Sequence, residues 1–597
     1  MSFFDDASLV FLPSGQAGKD GKAYSMKPTN GNGDFTFSRG SNLTATRIDS
    51  NGLIEKGREN LLLQSNQFDT NWSTSSSTPV SGYADRNGGT DAWLLRENAS
   101  TSPHWIRQSS GLTSGIGTFS FYAKKKDYDW IQFGRSGDGG DYANFNISNG
   151  TLGNVSGASI IDRKIESVGN GWYRCSVTYI FGSNSFVGIA LIRSDVSTRY
   201  ETYAGDITKG TYIQDAQVEI GLVATEYIES GATTGKAGLL EDSPRFDYSG
   251  GASCPSLLLE PSRTNLIGQS EYYNDWDIKT NISFQVNRDT SPEGIVNAQN
   301  IYPTATGACF MYENISYTSG ETYVYSVFAK SNGKDYLQIT TSGSSFGTDY
   351  CTFDLSNGTI DNNGFTNADI EDYGNGWYRC YIVVSAIATS SSRIVIGLVP
   401  SATSSRLEGI TANGTDGVLI YGVSNEQGSY PTSYIPNHSG GSVTRNAEQI
   451  VNTNISSIIN TSNSYTIFFD FTRPNADYVS AWQLIGIDNG GYTSRLKIVQ
   501  RANFDQFRVN IYDGTTNVTS SEIDNSAQNK IAIVYDGRTS YKIFTNGTLL
   551  ETLSCGAING TRLTSGENGT QRTIDNYQQI SLFPSALSDA ECITLTS

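Results

Sequence analysis

Gly169-Asn170-Gly171-Trp172-Tyr173-Arg174-Cys175 recurs unchanged as Gly374-Asn375-Gly376-Trp377-Tyr378-Arg379-Cys380, an offset of 205 residues. Seven identical residues that include Trp and Cys do not arise by chance, and self-similarity at a fixed period marks a duplicated structural unit. Working outward, Asn60-Leu61 with Gln64-Ser65 and Trp72 answers Asn265-Leu266 with Gln269-Ser270 and Trp276. Ala123-Lys124 answers Ala329-Lys330, Asp129-Trp130 answers Asp335-Tyr336, and Asp141-Tyr142 answers Asp349-Tyr350. Ser148-Asn149-Gly150-Thr151 answers Ser356-Asn357-Gly358-Thr359, and Glu226-Tyr227-Ile228 answers Ser433-Tyr434-Ile435. The offsets stay between 204 and 208, so the copies differ by short loop changes and span about 58–235 and 263–445.

The copies read as strands. Tyr173, Cys175, Val177 and Tyr179 alternate with Arg174, Ser176 and Thr178, as do Tyr378, Cys380, Ile382 and Val384 in the second copy. A period of two describes a half-buried strand, so Cys175 and Cys380 point into two cores. Asn149-Gly150 and Asn357-Gly358 follow short alternating runs and predict tight hairpins with two positive-φ residues. Residues 446–597 carry further strand and turn signals, including Tyr465-Thr-Ile-Phe-Phe-Asp-Phe471, Lys530-Ile-Ala-Ile-Val-Tyr535 and Tyr541-Lys-Ile-Phe-Thr with Asn546-Gly547. The expected fold class is therefore all-β, with tandem β-sandwich or jelly-roll domains: two related repeats and a third sandwich. Residues 1–57 read as an N-terminal anchor or lead-in, and 236–262 as a connecting segment. Arg47-Ile-Asp49 and Arg245-Phe-Asp247 stand before the two copies, as do Glu55 with Arg58 and Glu260 with Arg263.

Composition agrees. Charged residues make up 17% of 597, below the roughly 25% of an average soluble domain, while 62 Gly, 34 Tyr and 26 Phe suit many strands and turns. A net charge of −18 repels nucleic-acid phosphate, so no nucleic-acid partner is expected. No window of 18 apolar residues predicts membrane insertion. The opening MSFFDDASLV carries acids where a secretion signal carries positive charge, which predicts synthesis in a cytoplasm without export through a secretion signal. Seven cysteines at scattered spacings without CxxC argue against zinc.

Tyr-Asp-Gly at 535–537, Tyr541-x-Ile-Phe-x-Asn-Gly547 and Leu582-Phe-Pro-Ser-Ala-Leu-Ser-Asp-Ala-Glu591 resemble the laminin G/concanavalin-like jelly-roll family. Phe121-Tyr-Ala-Lys124, Phe145-Asn-Ile-Ser-Asn-Gly-Thr151 and Gly169-Asn-Gly-Trp-Tyr-Arg174 resemble carbohydrate-binding-like domains of bacteriophage fibre and spike proteins. Phe35-Thr-Phe-Ser-Arg39, the run Arg58-Glu-Asn-Leu-Leu-Leu-Gln-Ser65, and Tyr434-Ile-Pro436 with Val443-Thr-Arg445 are similar to the flanks of such modules. The resemblance implies a virion surface protein, a tail fibre or head spike displaying glycan-binding sandwiches for host attachment. It implies partners in other virion proteins through the N-terminus and in host surface polysaccharide, and a homo-oligomer, a trimer by analogy. The rival readings are a capsid decoration without a ligand and a polysaccharide depolymerase.

Concanavalin-like glycanases place paired carboxylates in Glu-x-Asp-x-x-Glu. Here Glu522-Ile523-Asp524 is followed at the last position by Ala527, so no enzyme activity is expected. Asp138 with Asp141, and Asp488 with Asn489, offer hard oxygens for calcium; no other cofactor is indicated. Sugar binding needs aromatic faces and planar polar groups. Trp130, Arg135, Asp141 and Tyr142 in the first copy, with Tyr336, Asp349 and Tyr350 in the second, are the candidate glycan contacts. Trp172 and Trp377, out of phase with the inward Tyr and Cys, are expected to pack under neighbouring segments.

Overall fold

The computed structural model describes residues 2–13, 21–40, 42–137, 140–183, 185–473, 483–491, 493–500, 506–566 and 575–597. The chain is all-β, with tandem antiparallel sandwiches and only short helices such as Phe3–Asp6 and Asp589–Thr596. No helix is long and apolar enough to cross a membrane.

In the first repeat Trp172–Ile180 lies between Ile160–Gly169 and Ile116–Lys124, and the sheet continues through Gly210–Ile220, Ala92–Glu97 and Ser77–Tyr83. In the second, Tyr378–Ser385 lies between Asn367–Asp372 and Thr322–Asn332, followed by Gly417–Gln427, Ala298–Pro303 and Ile282–Asp289. The strand order is the same. Cys175 sits opposite Phe121 and Ile165, and Cys380 opposite Val327 and Ile370. Both thiols are buried and free. The facing sheets also correspond. Thr151–Ser156, Tyr142–Asn146, Trp130–Ser136, Phe186–Ile192, Trp105–Ser109 and Ser73–Ser75 run in that order in the first repeat. Thr359–Asn363, Tyr350–Asp354, Tyr336–Ser342, Ser390–Leu398, Cys309–Tyr312 and Ile278–Thr280 do so in the second.

The repeated motif residues make the same bonds in each copy. Asn60 and Asn265 donate to Ile228 O and Ile435 O at 2.8 and 2.9 Å. Trp72 and Trp276 each donate to the carbonyl of the motif glutamine at 3.1 Å. Ser65 meets the Tyr227 hydroxyl at 2.6 Å, and Ser270 that of Tyr434 at 2.7 Å. Polar side chains buried in this way are retained because an unpaired amide or hydroxyl is costly to desolvate. Asn170-Gly171 and Asn375-Gly376 form the two-positive-φ turns, at 53° and 77° and at 54° and 79°. Asn149-Gly150 and Asn357-Gly358 do not: only the glycines have positive φ, 76° and 67°. Those turns are closed by a side chain, Asn146 Oδ1 accepting from Ser148 N and Asn149 N, and Asp354 Oδ1 from Ser356 N and Asn357 N.

The third sandwich corrects the reading of residues 1–57 as an anchor and of 236–262 as a connector. Leu9–Phe11 and Ser256–Leu259 both pair with Asp575–Phe583, and Arg245–Asp247 extends that sheet. Lys22–Ala23 and Phe35–Ser38 pair onto Gln449–Asn452 in the facing sheet. Leu9, Phe11, Phe35, Phe37, Leu257 and Leu259 are buried in one core with Ile467, Phe469, Ile533 and Tyr577. Burying each such side chain contributes roughly 1.5–3 kcal/mol, so the apolar N-terminal runs find their partner within the chain. These runs are not free to hold another protein, and the N-terminal strands belong to the same sandwich as residues 446–597. Both repeats are inserted between strands of this composite sandwich.

A buried ionic hub closes the composite. Arg39 pairs with Glu448 at 3.0 Å, Arg245 with Glu260 at 2.8 Å and with Glu448, and Arg445 with Glu260 at 2.7 Å. Burial alone would raise the Glu260 carboxyl, but Arg445 and Arg245 outweigh it and hold it at about 2. The lead-in and exit arginines of the sequence motifs are therefore structural.

Candidate functional site

The site lies on the outer face of the Trp130–Ser136 sheet. Ile131 and Phe133 point into the core, so Gln132 and Gly134 point outward. A segment at 193–201 crosses this face. Gln132 Oε1 accepts from Tyr200 N at 2.8 Å, and Asn144 Nδ2 donates to Asp195 O and Ser197 O, both at 2.8 Å. Gly134 and Gly188 leave room for the Tyr200 ring to lie on the sheet. A Cβ at Gly134 would stand 2.3 Å from that ring, and one at Gly188 2.7 Å from its hydroxyl. Tyr200 holds a left-handed φ of 54° that these contacts stabilise.

Around Tyr200 the rings and guanidiniums interleave. Trp105 lies 5.8 Å from Tyr200, ring centre to ring centre. The Arg107 guanidinium sits 4.5 Å from the Trp105 centroid and 5.0 Å from that of Phe186, and Arg199 covers Tyr200 at 4.7 Å. All five side chains are half-buried.

The second repeat has the same construction. Leu407 takes Tyr200's place with φ 50°, donates its N–H to Gln338 Oε1 at 2.6 Å, and would meet a Cβ on Gly397 at 2.5 Å. Phe310 and Tyr312 stack at 6.4 Å and 6° between planes, and Arg393 covers Tyr312 at 4.8 Å. Arg406 donates to Thr340 Oγ1 and Thr341 O at 2.8 and 2.9 Å. Register fixes the equivalences. Trp105 and Arg107 face Ala190 and Gly188, while Phe310 and Tyr312 face Gly397 and Val395. Phe186 faces Ser136 and Arg393 faces Ser342. Phe310 thus replaces Trp105, and the pair Arg107–Phe186 becomes Tyr312–Arg393, with cation and ring exchanged.

The sequence-selected residues fall around this face without forming one cluster. Trp130 and Tyr336 are half-exposed at the far end of their strands, Trp130 lying so close to Gly153 that a Cβ there would be 2.4 Å from its ring. Tyr142 and Tyr350 pair with Gly134 and Thr340, next to the crossing segment. Arg135 and Asp141 are corrected: they are buried, joined at 2.7 Å, and Arg135 lies 5.3 Å from the inward Tyr179 ring. The pleat puts Arg135 on the opposite face from Trp130. Asp349 is exposed and faces no such arginine, because Thr341 occupies the place of Arg135. The crossing segment was missed, although Ser194-x-x-Ser197-x-Arg199-x-Glu201 repeats as Ser401-x-x-Ser404-x-Arg406-x-Glu408 within the same range of offsets.

Trp172 and Trp377 are buried, the latter against Ile54 of the lead-in and donating to Thr290 O at 3.0 Å. Glu522 pairs with Arg508 at 2.6 Å and Asp524 accepts from Gln506 at 2.8 Å, both on an exposed edge. Asp488 is held by Arg562 at 2.5 Å, so neither Asp141 nor Asp488 presents a carboxylate clear of a cation. Asp138 lies outside the described residues. Among the described residues no group of three metal-ligating side chains occurs.

No family model matches the sequence, and no curated protein matches it. Among solved structures, the receptor-binding domain of botulinum neurotoxin type G is similar at 14% identity and a TM-score of 0.21, over 25% of this chain and 39% of that one. The binding domain of botulinum neurotoxin DC, solved in complex with rat synaptotagmin II, gives 14% and 0.22 over 25% of this chain and 40% of that one. A botulinum neurotoxin type C structure whose cell entry is described as dependent on two ganglioside molecules gives 11% and 0.21, with the same coverage. The chain thus spans about 40% of these structures. Likeness at this level carries no argument about function.

Proposed function

We propose that the protein is a non-catalytic glycan-binding protein that presents one sugar-stacking platform on each repeat. The observation that supports this reading is the ring-and-guanidinium face built twice on one scaffold, by Trp105, Arg107, Phe186, Tyr200 and Arg199 and again by Phe310, Tyr312, Arg393 and Arg406. Ring faces suit the C–H surfaces of a sugar, and guanidiniums suit its oxygens. A glycan array identifies a ligand, and titration of that ligand tests the platforms. Trp105→Ala and Phe310→Ala are each expected to weaken binding roughly threefold to tenfold, the value of one stacked ring. Unchanged affinity in the double variant refutes the reading.

The proposal extends to binding without cleavage. Steady release of new reducing ends from a bound polysaccharide, abolished by Glu522→Gln, refutes that part. The finer reading is a bacteriophage appendage on the virion surface that attaches to host polysaccharide, made in the host cytoplasm. It rests on sequence resemblance alone. An attachment site for other virion proteins would have to lie outside the buried strands of residues 9–38. Antibody labelling of intact particles checks the location.

A further inference from the structure

Two cations near these faces are neutralised: Arg135 by Asp141 and Arg193 by Glu201, both at 2.7 Å. Four arginines on the platforms are not. Arg107 donates to Ser136 Oγ, Arg199 to Arg135 O, and Arg406 to Thr340 Oγ1 and Thr341 O, while Arg393 lies over Tyr312. Among the described residues none of the four is paired with a carboxylate. They stand as two pairs, one in each repeat. Arg406 is bonded to Thr340 and Thr341, and Arg393 stands opposite the next residue of that strand, Ser342; burial, then the charge of Arg393, holds the Arg406 guanidinium below its ordinary value. Arg199 lies 4.7 Å from the Tyr200 ring centre and Arg107 4.5 Å from that of Trp105, the ring beside it; burial raises the Tyr200 hydroxyl, and the Ser136 hydrogen bond and then the charges of Arg199 and Arg107 oppose that. Gathering like charges without a counter-ion is unfavourable unless an external anion neutralises them.

We propose that each platform binds an acidic polysaccharide, its two unpaired arginines clamping an anionic substituent of the sugar that the rings stack on. This deepens the glycan-binding reading and rests on it. Guanidinium forks bind carboxylate, sulfate or phosphate oxygens in paired hydrogen bonds, so the shared ligand chemistry is an anionic group carried at regular intervals along a glycan. The half-exposed setting keeps both charges within reach of a chain laid across the sheet. Two platforms on one molecule then hold one such chain by avidity.

The test titrates the full-length protein with polygalacturonate, dextran sulfate and neutral dextran of matched length, at low and at moderate salt. Binding to either acidic polymer, at least tenfold tighter than to dextran and weakened by salt, is expected; preference between the two identifies carboxylate or sulfate. Arg107→Gln with Arg199→Gln, and Arg393→Gln with Arg406→Gln, should each cost about tenfold on the acidic polymer, with thermal unfolding followed to confirm folding. Arg393→Lys with Arg406→Lys retains charge without the fork and should recover only part of the loss. Equal affinity for acidic and neutral polymers overturns the acidic-ligand inference while the glycan-binding reading stands. Binding to none of the polymers, and to no neutral or acidic glycan on an array, overturns both.

Discussion

In the first repeat an arginine on the Trp105–Ser109 strand covers a phenylalanine on its neighbour; in the second, a tyrosine stands where the arginine was and an arginine where the phenylalanine was. The contact is kept at 5.0 and 4.8 Å while its ends are exchanged. One position further along, Gln108 both accepts from Leu63 N and donates to Leu63 O, at 2.7 and 2.8 Å. Its counterpart Glu313 only accepts, from Gly268 N at 3.3 Å. The two repeats therefore share strand order and the crossing segment, and differ in which side chains complete each contact. The backbone scaffold is the constant; the pairing chemistry is solved separately on each copy.

The largest expected difference concerns the two motif tryptophans. Trp172→Ala and Trp377→Ala should each cost about 3–5 kcal/mol in denaturant unfolding. Phenylalanine separates them. The Trp377 indole donates to Thr290 O, whereas the Trp172 Nε1 is buried without a partner among the described residues. Trp377→Phe should therefore cost about 0.5–1.5 kcal/mol more than Trp172→Phe. Equal costs would show that the two positions are energetically the same.

The exchanged cation–ring pair sharpens the comparison at a smaller scale. Arg107→Tyr or Phe186→Arg alone should destabilise the first repeat, and the double variant should recover about 0.5–1 kcal/mol of coupling in a double-mutant cycle. Simple additivity would mean that the exchange is coincidental.

A further difference between the repeats at this position is pH-dependent. Burial, opposed by the Gly268 amide and reinforced by the Asp277 charge, raises the Glu313 carboxyl to about 7. Its unfolded value is about 4.3. A folded carboxyl that holds its proton more tightly contributes stability that is present below the unfolded value and is lost as pH rises through the folded one. Unfolding midpoints should therefore decline between about pH 4.3 and 7 by an amount that Glu313→Gln removes. Gln108→Glu should create the same slope in the first repeat. A slope unchanged by Glu313→Gln would locate the proton elsewhere.

What was legible in the sequence was local. The alternation from Trp172 to Tyr179 reports a strand because the pleat repeats every two residues wherever the strand lies. Asn149-Gly150 and Asn357-Gly358 report turns because glycine accepts positive φ, although only the glycines adopt it there. Of the candidate contacts, Tyr142 and Tyr350 come nearest to the platforms, opposite Gly134 and Thr340 beside the crossing segment, and no platform residue is among them. Trp105 and Tyr200 were not selected, because nothing in the spacing of residues 95 apart says that their rings meet. Arg135 was selected for its nearness to Trp130, yet adjacency along a strand separates side chains by parity.

The sequence by itself determined that the protein is all-β, that it carries a duplicated unit, and where the decisive strands of that unit lie. These follow from periodicity and backbone sterics, which act over a few residues. Only the tertiary structure decided that Leu9, Phe35 and Leu257 complete the sandwich of residues 446–597, and that Arg39 meets Glu448 from 409 residues away. An apolar run records that a side chain must be buried, but not against which surface. That choice is made when the whole chain closes and the burial of every run, and of every charge, is satisfied at once.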